Sequence, residues 1–336
     1  EQGTSGKRGW RSSTGYLRND VVKSGTKTGV VRRERVKRTK QDWARLFEGV
    51  RGTITYEASL QDFTSFRIGG PAEVLVEPVD VDDLCRVVEN ARAERISIFV
   101  LGGTNVLVRD GGIRGIVVSL RHLKTIRQDP GHVLYVDGGV GMPTLIGYAI
   151  RRGLSGLEWG AGIPGTVAGC VVMNAGTRLG EMKDALKAVR MVDVKGRVVD
   201  IPAGEIPFSY RRAHLPRGIV AGVWLQMKPG DHARIEKTVK DYLQYRKDTQ
   251  PLTLPSAGCV FKNPPQDSAG RLVDAAGLKG ARVGDAQVSE KHANFMVNVG
   301  HARAADVLAL IRKVRAGVKK ASGVTLELEL KVVGQA

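Results

Sequence analysis

Two glycine-rich stretches constrain this chain more than any other feature. The first, Gly102-Gly103-Thr104-Asn105, directly follows the apolar run 96–101. The second runs from Gly160 through Gly165 and Gly169 to Asn174-Ala175-Gly176. Glycine lets backbone N–H groups approach an anion closely, and Thr104 and Asn105 add side-chain donors. The first stretch is not a Rossmann fingerprint, because no G-x-G-x-x-G opens a helix there and 106–109 reads as strand. Small residues dominate the seventeen positions 160–176, so a flat, extended ligand can lie against bare backbone. Each stretch alone also has a plain structural reading: a tight turn for the first, close helix packing for the second. Two glycine-lined anion loops in one domain suit a dinucleotide pyrophosphate better than a single phosphate.

Around these loops the chain alternates strands and helices. Strands are expected at 72–78, 96–101, 116–120, 133–136 and 219–228, with helices over 81–94, capped by Asp80 or Asp82, and over 142–152. The segments 189–192 and 197–201 flank Asp-Val-Lys-Gly, a hairpin turn. Past a helix at 235–246 and a proline-bounded connector at 251–255 come helices at 269–276 and 304–321 and a last strand at 326–333. The fold class is therefore α+β, with a boundary between residues 230 and 247. We divide the chain into a basic leader (1–45), a first unit (46–232, core about 65–230) and a smaller second unit (233–336).

The charge of +18 looks like a nucleic-acid signal until it is divided along the chain, since residues 1–40 alone carry +9 of it. That segment has no interleaved aromatics for base stacking and no sustained apolar face, so a solvated leader is the plainer reading. The sequence opens at Glu1 and its first methionine is Met142, so either an initiator precedes it or translation starts within the leader. Three widely spaced cysteines, Cys85, Cys170 and Cys259, exclude a disulfide framework and paired-cysteine zinc sites, and suit a reducing cytoplasm. No metal site is expected. No apolar run approaches the ~18 residues of a membrane span.

Three further motifs can carry chemistry. Tyr210-Arg211-Arg212 follows Phe208, although most arginines are simply solvated. In 256–264 (SAGCVFKNP), Cys259 lies beside a glycine and ahead of Lys262-Asn263, either as an activated thiol or as an inert core residue. In 326–333 the alternation puts Glu327 and Glu329 on the face opposite the leucines, where exposure is the usual fate.

Together these elements resemble one family, UDP-N-acetylenolpyruvoylglucosamine reductase. The resemblance is carried by 64–71 (TSFRIGGP), 103–110 (GTNVLVRD), 156–176 (GLEWGAGIPGTVAGCVVMNAG), Tyr210-Arg211, SAGCVFKNP, 269–300 (AGRLVDAAGLKG through VSEKHANFMVNVG) and 326–334 (LELELKVVG). It runs in order over about 55–336. It implies a two-lobed FAD-binding domain of the vanillyl-alcohol-oxidase (PCMH) type, followed by a smaller α+β substrate domain whose terminal strand closes the active site. The implied reaction is NADPH-dependent, FAD-mediated reduction of UDP-N-acetylglucosamine enolpyruvate to UDP-N-acetylmuramate, a step of peptidoglycan precursor synthesis that serves cell shape and division.

Carried onto this sequence, the resemblance assigns FAD to Gly102, Gly103, Thr104, Asn105, Ile163, Pro164, Gly165, Thr166, Gly169, Asn174 and Gly176. Substrate falls to Tyr210, Lys262, Asn263 and His292. Arg211 would stabilise an enolate, Glu329 would act with it, and Cys259 would be the proton donor. The flavin should be non-covalent, because no histidine or cysteine lies in an evident attachment motif and only His122 and His132 fall between 65 and 210. A cytoplasmic monomer with a UDP-sugar substrate and no obligatory nucleic-acid or membrane partner is expected.

The sequence also departs from the family's pattern. Cys259 replaces the usual serine, Ala213 stands where a serine often follows, and the first glycine loop is one residue shorter. The 48 residues from Arg211 to Cys259 match the family's shorter type and leave no room for an extra substrate-covering loop. Arg211 and Arg212 are expected to lower the thiol pKa, opposing its use as an acid. The rival readings are another flavin oxidoreductase of the same cofactor fold and a nucleic-acid-binding protein acting through its basic arm.

Overall fold

The computed structural model describes residues 38–336. Helix α1 (Lys40–Leu46) opens the fold, its start fixed by a capping box between Thr39 and Asp42. Trp43 is 3% exposed and stacks on Phe47 at 5.9 Å. The leader expected over 1–45 is corrected here, because burial of Trp43 makes α1 part of the first core; residues 1–37 lie outside the described residues.

The first lobe is a four-stranded sheet made from β1 (Thr53–Ser59), β2 (Pro71–Glu77), β3 (Ile98–Val100) and β5 (Ile113–Val118), in the order β1-β2-β5-β3. β1 runs antiparallel to β2, while β5 is parallel to both β2 and β3. Helix α2 (Val81–Ala93) supplies the crossover, capped by Asp80, whose side chain accepts from the Asp83 amide at 2.8 Å. Its residues Leu84, Val87, Val88 and Ala91 recur at helical spacing and are all buried. β4 (Val106–Val108) lies outside this sheet.

The second lobe is a five-stranded antiparallel sheet of β6 (Ile126–Asp129), β7 (Val133–Asp137), β8 (Leu186–Asp193), β9 (Val198–Pro202) and β10 (Gly218–Gln226), ordered β9-β8-β10-β7-β6. The expected turn joins β8 to β9, and Asp193 Oδ1 accepts from the amides of Lys195 and Arg197. Helices α3 (Met142–Arg151) and α4 (Val167–Val172) return between β7 and β8. One core runs through both lobes, from Val87 of α2 to Leu145 of α3 and Val223 of β10.

Helix α5 (His232–Thr249) follows, capped by Asp231, and lays Val239 into that same core. The remaining chain builds a third sheet from β11 (Ser256–Cys259), β12 (Arg282–Val283), β13 (Ala286–Val288) and β14 (Phe295–Asn298), ordered β11-β14-β13-β12. Helices α6 (Ala269–Ala275) and α7 (Ala304–Ser322) cover it. Its core also takes in Phe66, Ile68 and Leu107 from the first unit. Among the described residues, no helix is long and apolar enough to cross a membrane.

The chain ends in β15 (Lys331–Val333), which pairs in parallel with β4 as Lys331 opposite Val106. A single strand over 326–333 was expected, and only this last part forms. Residues before it bridge two units instead: Leu328 pairs with Phe261, the Glu329 amide donates to Val260, and the Lys331 amide donates to Asn105. The partner changes along the segment, from Val260 at Glu329 and Leu330 to Asn105 at Lys331, so no single ladder runs through it. That crossing places Glu329 beside the first glycine loop.

Candidate active site

The two glycine loops meet. A Cβ built on Gly165 would lie 2.6 Å from Thr104 Oγ1, and one on Gly102 would lie 3.9 Å from Gly169 Cα. Gly103 (φ +79°) and Gly165 (φ +104°) both hold the left-handed conformation that favours glycine. The amides of Gly102, Gly103, Thr104 and Asn105 donate to no described group, nor do those of Gly165 and Thr166. By contrast, the amides of Val167 and Ala168 are engaged by Val140 and Gly138 at 2.8 and 3.0 Å. Thr166 caps α4 by accepting from the Gly169 amide at 3.3 Å. Asn105 donates its Nδ2 to the Glu329 carbonyl at 3.1 Å, while its Oδ1 is buried without a partner among the described residues. Such a group costs free energy until something bonds it. Free amides and small residues fit a bound dinucleotide diphosphate, while the orphaned Asn105 oxygen calls for a donor such as a ribose hydroxyl or a ring N–H of the same cofactor.

Ile163 and Pro164 carry the second loop between Gly160 and Gly165, with Ile163 packed partly against the first core. Asn174 and Gly176, also expected at the cofactor, make bonds within the chain as well. The Asn174 side chain donates to Glu181 at 2.7 Å and accepts from the Lys183 amide at 3.1 Å. The Gly176 carbonyl accepts from Arg211 Nη1 at 2.7 Å.

Tyr210 and Arg211 form the two-residue turn of a small hairpin that pairs Phe208 with Ala213 and Ser209 with Arg212. Arg211 has φ +57°, which costs a non-glycine residue about 1–2 kcal/mol. The strained turn is held from outside: Ser209 Oγ meets His214 Nε2 at 2.9 Å, and Arg211 Nε donates to Glu329 Oε1 at 3.0 Å. Glu329 was expected on an exposed face, yet its side chain is 12% exposed against 76% for Glu327, which reaches Lys262 at 3.3 Å. The irregular crossing before β15 turns the two glutamates apart. Burial pushes the Glu329 carboxyl above its ordinary pKa, while Arg211 opposes the shift.

Cys259 enters from the other side. The register between β11 and β14 slips between Ser256 and Cys259, and Gly258 (φ +77°) allows that bulge. Burial, and next the Glu329 charge, push the thiol up to about 11 against the pull of Arg211 and Arg246. The second arginine acting on Cys259 is therefore Arg246 rather than the expected Arg212, whose charge falls on Lys331 instead. Arg246 was missed because the helical pattern of α5 carries no motif at that position.

Of the residues expected at the substrate, Tyr210 stands 59% exposed, with Arg211 over its ring at 5.4 Å. Lys262 is near enough for its charge to act on Glu329. Asn263 Oδ1 accepts from the Ala269 amide at 3.0 Å, and His292 packs edge-on against Phe295 at 4.9 Å. No described hydrogen bond joins Asn263 or His292 to Arg211 or Glu329. Asn294 donates its backbone amide to His292 Nδ1 at 3.2 Å, and its side chain bonds both backbone groups of Phe261, two residues past Cys259, at 2.9 Å.

The geometry agrees with comparisons to known proteins. Residues 250–333 match the model of the UDP-N-acetylenolpyruvoylglucosamine reductase C-terminal domain, and 72–202 match an FAD binding domain. UDP-N-acetylenolpyruvoylglucosamine reductase 2 of Symbiobacterium thermophilum is 46% identical over 287 residues, 84% of this chain and 93% of that protein. The reductase of Moorella thermoacetica is 42% identical over 289 residues, 85% of this chain and 95% of its own. The crystal structure of UDP-N-acetylenolpyruvylglucosamine reductase from Thermus caldophilus superposes with a TM-score of 0.72 at 42% identity, covering 84% of this chain and 98% of that one.

Proposed function

The chain belongs to the UDP-N-acetylenolpyruvoylglucosamine reductase family, and from that premise we propose that Arg211, Glu329 and Cys259 carry the second half of its reaction. The enzyme is a UDP-N-acetylmuramate dehydrogenase, reducing UDP-N-acetylglucosamine enolpyruvate with NADPH in peptidoglycan precursor synthesis. Bound FAD supplies hydride transfer, from NADPH to the terminal carbon of the enol ether. The unpaired amides of 102–105, Gly165 and Thr166, with Asn105 Oδ1, would hold it.

Hydride addition leaves negative charge on the adjacent carbon and its carboxylate. A preorganised cation in a dry site lowers such a barrier by several kcal/mol. Arg211 is that cation, fixed by Glu329 through Nε and by Gly176 through Nη1. The carbon then needs a proton, and Cys259 holds one at neutral pH because burial raises its pKa. The single observation that carries this reading is the meeting of Arg211, Glu329 and Cys259, drawn from three distant parts of the chain.

Tyr210, Lys262, Asn263 and His292 take the UDP-sugar, residues 46–232 hold the flavin, and residues 233–336 cover the substrate. A monomer is the working unit of this proposal. The three free cysteines support the reducing cytoplasm as its compartment.

Acid precipitation should release the yellow colour into the supernatant, and NADPH oxidation beyond one equivalent of flavin should require the enolpyruvyl substrate. A coloured pellet contradicts non-covalent binding. Equal oxygen-consuming NADPH oxidation without that substrate contradicts the reductase.

A further inference from the structure

Arg246 is a half-buried cation without a carboxylate partner among the described residues. Its only polar contacts there are two long ones at 3.4 Å, from Nη1 to the Gly162 carbonyl and to Gln250 Oε1. Burial pulls its pKa below the ordinary guanidinium value, and Arg211 repels it further. The other arginine facing Cys259 is satisfied differently: Arg211 is held by Glu329 and Gly176. Arg246 is thus a charge withdrawn from water with no described group opposite to balance it, an arrangement that costs stability unless an anion arrives.

Its placement is built. Gly162 (φ +72°) belongs to the second glycine loop, and a Cβ there would lie 2.8 Å from Arg246 Cδ. The glycine leaves room for the arginine stem against the loop, at a place from which its charge acts on Cys259. Arg211 has already committed Nε and one N–H of Nη1, so Nη2 is its nitrogen without a described partner. A carboxylate arriving between the two arginines would need more than that one nitrogen offers. Arg246 Nε and Nη2 likewise have no described partner, and a guanidinium suits a planar carboxylate well.

We propose that Arg246 is the second cation of the site and binds the enolpyruvyl carboxylate of the substrate opposite Arg211. This rests on the reductase reading and deepens it by naming the group that receives the substrate's negative end. In this role Arg246 positions the carboxylate before hydride addition and holds the charge that spreads onto it afterwards. It forms no covalent bond and transfers no proton.

The test uses the flavin-loaded enzyme and its Arg246→Lys and Arg246→Gln variants. Flavin content and the rate at which NADPH bleaches the flavin are measured first. KM for the enolpyruvyl substrate and the rate of substrate-dependent recovery of colour follow. Removing one member of a buried charged contact typically costs about 30- to 5,000-fold. Arg246→Gln should show that loss in kcat/KM, with flavin content and NADPH bleaching within about twofold of the parent. Arg246→Lys should recover at least a tenth of the parent value. Gly162→Ala, which pushes on the arginine stem without removing its charge, should raise KM in the same direction.

If the parent enzyme turns over and Arg246→Gln keeps its kcat/KM within about twofold, the inference is overturned while the reductase reading stands. If Arg246→Gln purifies without flavin, Arg246 serves the cofactor and the inference is also overturned. A parent enzyme that fails to reduce the enolpyruvyl substrate overturns the reading beneath it.

Discussion

Replacing Cys259 with alanine should slow recovery of flavin colour by the enolpyruvyl substrate by ~10²–10⁴-fold, the usual contribution of a positioned acid. NADPH should still bleach the flavin at a near-normal rate, because that half-reaction needs no proton from the thiol. Cys259→Ser should keep much of the activity, since a hydroxyl in the same place can donate. The pH dependence follows from the direction of the thiol shift. Its pKa is pushed up to about 11, so the donor stays protonated below that value and the substrate step should be flat near neutrality. The rate should fall as pH rises through about 11, where the proton is lost. Alkylation should be slow for the same reason, and substrate should protect against it. Equal reoxidation in parent and Cys259→Ala would leave Cys259 a packing residue and make water the donor.

The second large effect is expected at Gly165. At φ +104°, where a Cβ would stand only 2.6 Å from Thr104 Oγ1, this position has no room for a branched side chain. Gly165→Val places two methyl groups where the loops meet, and holds a β-branched residue in a conformation that costs it about 1–3 kcal/mol. The free amides of the two loops would no longer converge. Purified Gly165→Val should be colourless, and added FAD should not restore activity. Circular dichroism and urea unfolding separate loss of the cofactor from loss of the fold. A yellow, active Gly165→Val protein would refute the placement of the diphosphate between these loops.

Local chemistry made much of this architecture legible in advance. Helix α2 announces itself by apolar residues at helical spacing behind Asp80, and the turn between β8 and β9 by Asp193 and Gly196. The glycine loops were visible because only glycine tolerates those conformations beside a close neighbour. Features set by distant contacts were not visible. Glu327 and Glu329 are two residues apart and look equivalent by alternation, yet one is exposed and the other pairs with Arg211. The difference arises because residues 326–330 bridge two units instead of running as strand. Arg246 gave no local signal at all, since a basic residue on a helix usually faces solvent. Similarly, Trp43 sits among basic residues, and its burial depends on packing near Phe47 that the charge run does not report.

The most direct test is an anaerobic titration of the purified yellow protein. NADPH should bleach the flavin absorbance, and one equivalent of UDP-N-acetylglucosamine enolpyruvate should then restore it, with formation of one equivalent of UDP-N-acetylmuramate. A flavin that stays bleached with that substrate, and recovers only when oxygen is admitted, would contradict the account.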